Sequence, residues 1–165
     1  MLGDAPPAVP HVPVPSSPTV SGRMSRQARR DTAPEIALRK ALHRRGLRFR
    51  VDRPLPDLPR RRADVLFTRA HIAVFVDGCF WHECPEHGTQ PMSNAEWWST
   101  KLARNVERDR ETDAHLRDRG WAVLRFWEHD DMATAAAVVQ RAWAASRSVG
   151  GDAGADRVVV PGRYR

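Results

Sequence analysis

Apolar side chains recur along this chain with two spacings, about 3.6 residues and about 2, and the switches between them mark out its elements. Thr32-Ala33-Pro34-Glu35 has the form of a capping box, with Pro34 tolerable in a first turn. Ile36, Leu38, Ala41 and Leu42 then continue a helical face until Gly46 stops it. Arg48 to Val51 reads as a short strand and the Pro-rich Arg53 to Pro59 as a loop. Ala63 to Thr68 and His71 to Val76 are two adjacent strands joined by a tight turn. After an irregular stretch from Asp77 to Met92, Ser93-Asn94-Ala95-Glu96 forms a second capping box, opening a long helix that ends at Gly120. Trp121 to Glu128 is a strand, and Asp130 to about Ser146 an Ala-rich helix. This order predicts an α/β or α+β layer with the sheet in the middle. It is compatible with a nuclease core and does not require one.

The two ends of the chain lack such periodicity. Pro6, Pro7, Pro10, Pro13, Pro15 and Pro18 exclude a helix or a core over 1–22, which is expected to be a disordered leader. One folded domain is expected over 23–147 and a flexible, Gly- and Asp-rich tail over 148–165. With 165 residues and 41% hydrophobic content there is material for a single core. Twenty-seven Lys and Arg against twenty Asp and Glu leave a formal charge of +7, with the basic residues clustered between Arg23 and Arg62. A polyanionic partner follows, nucleic acid being the commonest, with a solvated Arg-rich surface as the plain alternative. No apolar run reaches the ~18 residues that span a bilayer, so no membrane association and a cytoplasmic location are expected. In that compartment Cys79 and Cys84 read as thiols or metal ligands, not a disulfide.

Three features carry chemistry. Asp64 sits inside an otherwise apolar strand, where a desolvated carboxylate needs a partner or a metal; a solvent-edge Asp paired with Arg61 or Arg62 is the alternative. Asp109 points into the apolar arc of Trp98, Leu102, Val106 and Leu116, with Asn105 and Lys101 along its edge. These three could share a polar pocket, or form an exposed ladder on a charged helix. Most informative is Asp77 to His87, where Cys79, Cys84 and His87 have the spacing C-x-x-x-x-C-x-x-H. With His129 as fourth ligand the set suits tetrahedral structural zinc; free thiols and surface histidines are the bland reading. Phe80 and Trp81, consecutive on that loop, could wedge between base pairs or pack into the core. His82 beside them could serve as a general base toward water.

Taken in order, Asp64 in a strand, G-C-F-W-H at Gly78 to His82, N-V-E-R-D at Asn105 to Asp109 and G-W-A-V-L-R-F-W-E at Gly120 to Glu128 resemble the very short patch repair (Vsr) mismatch endonucleases. The spacing from Met24 to Glu35, with R-D-T-A-P-E before the first helix, fits as well. The resemblance covers residues 23 to 145 or so and implies a restriction-endonuclease-like core: a mixed central β-sheet flanked by helices, with a structural zinc site. It implies nicking of double-stranded DNA 5′ to the thymine of a T:G mismatch left by 5-methylcytosine deamination, which initiates very short patch repair. Asp64 and the Val76 carbonyl would bind catalytic Mg²⁺, His82 would activate water, and Glu35 and Asp109 would hold metal-bound waters. Met24, Phe80 and Trp81 would intercalate, and Cys79, Cys84, His87 and His129 would bind Zn²⁺. A monomer acting at the bacterial nucleoid, with mismatch-repair proteins as further partners, completes the implied picture.

Three positions depart from the family pattern. Asp77 stands where a histidine is expected, His129 stands where a cysteine is expected, and the order of Cys and His in the zinc loop differs. Two other readings compete. A different restriction-like nuclease would use an acid-x-Lys pair, which Val74-Phe75-Val76 does not offer. A non-catalytic, zinc-stabilised DNA-binding module would leave Asp64 exposed and dispensable.

Overall fold

The computed structural model describes residues 30–88 and 94–148. The leader over 1–22, Met24, Ser93 and the tail past Ser148 lie outside the described residues. Helix α1 (Ala33–Arg44) is capped by Thr32, whose Oγ1 accepts the Glu35 N–H, while Glu35 Oε2 accepts the Asp31 N–H at 2.9 Å. Gly46, at φ +73°, ends the turn that follows α1.

Strands β1 (Arg50–Leu55), β2 (Leu58–Phe67), β3 (Ile72–Asp77) and β4 (Ala122–Trp127) form one four-stranded sheet in the order β1-β2-β3-β4. The first two pairings are antiparallel and β3/β4 is parallel, so the sheet is mixed. The segment Arg53 to Pro59, expected as a loop, is instead the end of the β1/β2 hairpin. Arg53 pairs with Ala63 and Pro54 with Arg62, and only Pro56 and Asp57 turn. β1 is an edge strand, where a proline's missing N–H costs no ladder bond, so Pro54 does not break it.

A parallel pair needs a crossover, and helix α2 (Ala95–Asp118) supplies it on one face of the sheet. The residue before it, Asn94, lies in the left-handed region and makes no side-chain cap bond, and Ser93, the capping residue of the second expected box, lies outside the described residues. Leu116 of α2 packs with Leu66, Ala73, Phe75 and Val123. On the other face Leu38 and Leu42 of α1 and Val139 of helix α3 (Met132–Ser148) close over Val65, Val74 and Leu124. Both faces are thereby covered, which fits the apolar run Ile72 to Val76 in β3 and the apolar residues on either side of Arg125 in β4.

Candidate active site

β3 and β4 end together at Asp77 and Trp127, and the chain leaving these two strand ends builds the site. Ligands in α/β layers gather at such carboxyl ends because the diverging loops leave a crevice there. β2 contributes Asp64. The β2/β3 ladder runs only from Phe67↔Ile72 to Val65↔Val74. Beyond it the Asp64 carboxylate accepts the Val76 N–H at 2.7 Å. Burial pushes the Asp64 carboxyl up to about 7 against the pull of that N–H. The like charges of Glu35 and Asp77 add to the rise and Arg39 opposes it. The alternative of an edge carboxylate held by Arg61 or Arg62 is not what the structure contains. Arg61 bonds Thr112 and Glu111, and Arg62 bonds Asp52.

Asp109 arrives from α2, buried as its position in the apolar arc predicts. It does not belong to an exposed ladder: its Oδ2 lies 2.5 Å from His82 Nδ1. Asp77 Oδ1 is the next carboxylate oxygen to that nitrogen, at 3.8 Å. Burial alone would lower the His82 imidazole, but the bond to Asp109 and the charges of Asp77 and Asp109 outweigh it and hold the group above its ordinary value. The same contact and Arg125 hold Asp109 below its own ordinary value despite burial. With Nδ1–H donated to Asp109, Nε2 keeps its lone pair as a proton acceptor.

Glu35 sits at the start of α1, and Arg39 reaches its Oε2 at 2.7 Å. Three carboxylates, Asp64, Glu35 and Asp77, are thus electrostatic neighbours within one partly dry region. Glu35 is paired with Arg39 and Asp77 with Arg125, so Asp64 is the hard oxygen ligand left to meet a divalent cation such as Mg²⁺.

The loop from Gly78 to Gly88 winds tightly on its own backbone: Cys84 N–H reaches Cys79 O at 3.0 Å and Gly88 N–H reaches Cys84 O at 2.7 Å. A Cβ on Gly88 would lie 2.5 Å from that carbonyl oxygen, so no other residue fits without a shift. Glu128 pins the loop start by accepting the Cys79 N–H at 2.8 Å. Ligand atoms of Cys79, Cys84, His87 and His129 all lie within 4.8 Å of one another, a spacing that suits a tetrahedral metal. Burial and the adjoining Cys84 push the Cys79 thiol up to about 12, so in the metal-free state it keeps its proton.

Phe80 and Trp81 are half-buried, and neither belongs to the sheet core. Phe80 packs edge-on against Trp81 and Trp98, with centroids 5.0 and 5.4 Å apart. Lys101 lies over Trp81, Trp97 and Trp98 at 5.3, 4.7 and 5.1 Å. Asn105 donates to the Trp81 carbonyl at 3.3 Å, tying the loop to α2. The structure therefore brings Asp64, His82, Asp109, Glu35 and the Val76 backbone to one end of the sheet, with the Cys/His cluster and the aromatic pair on the adjoining loop. Two residues of this region were not anticipated, Arg125 and Asp113. An Arg between Leu124 and Phe126 in an apolar strand was the available signal.

The chain matches the family model of DNA mismatch endonuclease Vsr over residues 16–86. It is 47% identical over 129 residues to the type II nicking enzyme V.NaeI of Lentzea aerocolonigenes, covering 77% of this chain and 78% of that one. It is 39% identical over 112 residues to the DNA mismatch endonuclease Vsr of Escherichia coli strain K12, covering 67% and 69%. A third relative, the type II nicking enzyme V.NmeDIP of Neisseria meningitidis serogroup C, is 41% identical over 101 residues, covering 60% and 66%. The protein is a DNA endonuclease, a hydrolase of phosphodiester bonds. It belongs to the Vsr family. Among the described residues no helix is long and apolar enough to cross a membrane.

Proposed function

We propose that this endonuclease nicks one strand of duplex DNA 5′ to the thymine of a T:G mismatch, the product of 5-methylcytosine deamination, and so opens very short patch repair. The observation that carries the reading is His82 held on Asp109 at 2.5 Å, beside Asp64, a carboxylate that has no ion-pair partner among the described residues. Asp64 and the Val76 carbonyl would hold Mg²⁺. When bound, that ion offsets charge at the scissile phosphate and lowers the pKa of water. His82 Nε2 takes the proton of the attacking water, the water oxygen bonds to phosphorus, and the 3′ oxygen leaves. Asp109, with its Oδ2 on His82, fixes the imidazole and favours its charged form as the proton arrives. Glu35 is left to hold metal-bound waters.

Cys79, Cys84, His87 and His129 would hold Zn²⁺ as a structural ion, four protein ligands leaving no open position. That staple holds Phe80 and Trp81 on a rigid loop. Inserting them beside a mismatch costs less unstacking energy than beside a paired step, so the wedge itself favours T:G. The nuclease unit runs over 23–147 on a restriction-endonuclease-like core, and Met24 joins the wedge. It acts as a monomer.

The test is cleavage, with Mg²⁺, of two duplexes that differ only in carrying T:G or T:A within a cytosine-methylation context, alongside Asp64→Ala. A nick 5′ of the mispaired T, absent in the variant, supports the proposal. Equal cutting of both duplexes would make this a nicking enzyme without mismatch preference.

A further inference from the structure

Arg125 occupies the middle of β4, and its side chain is only 10% exposed. It lies on the α2 face of the sheet with its guanidinium over the Phe75 ring, 4.4 Å from the centroid. Around it are three carboxylates from two other elements. Nη1 donates to both oxygens of Asp77 on β3, at 2.8 and 3.0 Å. Nε donates to Asp113 Oδ1 on α2 at 3.0 Å, and Nη2 lies 3.5 Å from Asp109 Oδ1, one helical turn earlier. The carboxylate side chains are 9%, 3% and 10% exposed respectively. Buried charges of this kind persist only when paired, and the planar fork of an arginine holds several acids at once where an ammonium cannot.

Two of these acids face His82. Asp109 Oδ2 is on Nδ1 at 2.5 Å, and Asp77 Oδ1 stands 3.8 Å from the same nitrogen. Either could accept the Nδ1 proton, and the choice decides where the other ring nitrogen points. Both oxygens of Asp77 are engaged by Arg125, whereas Asp109 gives Arg125 only its other oxygen, across a longer gap. We propose that Arg125 is a positioning residue for nicking: by engaging Asp77 and anchoring α2 through Asp113, it leaves Asp109 as the acceptor that aligns His82. Asp77 thereby has a role, as the acid that must be kept off the base. The inference rests on the reading of His82 as the base.

The test uses Arg125→Lys, which keeps the charge and loses the fork, in the full-length chain. Single-turnover nicking should slow by about 10–100-fold, the scale set by misplacing a catalytic group by an ångström or so. DNA affinity should stay unchanged, and the melting temperature should fall because an ammonium leaves part of the three buried carboxylates unpaired, so nicking is compared well below it. Adding Asp77→Asn, which weakens the competing acceptor, should restore the rate to within a few-fold. A purely structural arginine predicts no such recovery. Wild-type nicking by Arg125→Lys, or a slow Arg125→Lys that Asp77→Asn fails to rescue, overturns the proposal. His82→Ala run in parallel separates the two ideas: full activity there would remove the base assignment itself.

Discussion

Replacing Asp64 by asparagine should stabilise the metal-free protein while abolishing its activity. In an unfolded chain this carboxyl ionises near 3.8, and in the fold only at about 7. Between those values the folded form holds the extra proton, so stability falls as pH rises through the window, and above it the buried charge bears its full cost. About three pKa units at 1.36 kcal/mol each set a ceiling of ~4 kcal/mol. The carboxylate is only half-buried, and water relieves part of that figure. Asparagine carries no charge, and its Oδ1 can still accept the Val76 N–H. A gain of roughly 1–2 kcal/mol at about pH 9 is expected, or a melting temperature higher by on the order of 5 °C. The gap should shrink to less than half by about pH 5 and close only toward 3.8, where the unfolded carboxyl takes up its proton as well. Thermal melts of Mg²⁺-free protein at both pH values measure this. Added Mg²⁺ should raise the melting temperature of the wild type and leave the variant alone. An Asn variant less stable than wild type at alkaline pH without Mg²⁺ would refute the assignment of Asp64 as a desolvated, uncompensated carboxylate.

Two further outcomes are expected. Asp109→Ala removes the acceptor on His82 Nδ1 and should lower the single-turnover nicking rate by about 100-fold or more with little change in DNA binding. A gel-shift titration run beside the cleavage assay checks both halves. Cys84→Ser should lose bound zinc, read by metal analysis of the purified protein, and should melt at lower temperature, because the loop from Gly78 to Gly88 would lose its cross-link. A variant that retains one zinc per chain would show that Cys84 is not a ligand.

Much of this protein is set locally and could be read from its residues. The Thr32 cap and the stops at Gly46 and Gly120 follow from backbone chemistry within a few positions. The two apolar runs at β3 and β4 follow from burial on both faces. The Cys79, Cys84 and His87 spacing was visible because short-range geometry dictates it, and Asp64 and Asp109 stood out because carboxylates are costly where their neighbours are apolar. The hairpin through Pro54 was not legible, since whether a proline breaks a strand depends on that strand being an edge, which is a property of the sheet. Nor was the choice of Asp109 over Asp77 as the partner of His82. That choice joins β3, β4 and α2 around Arg125, whose three carboxylate partners lie 12, 16 and 48 positions away in sequence. The sequence by itself determined which groups cannot rest in an apolar setting without a partner. Only the tertiary structure decided which partner each one has, because the distances that rank Coulomb and hydrogen-bond energies exist only once the sheet and its crossover helix have packed.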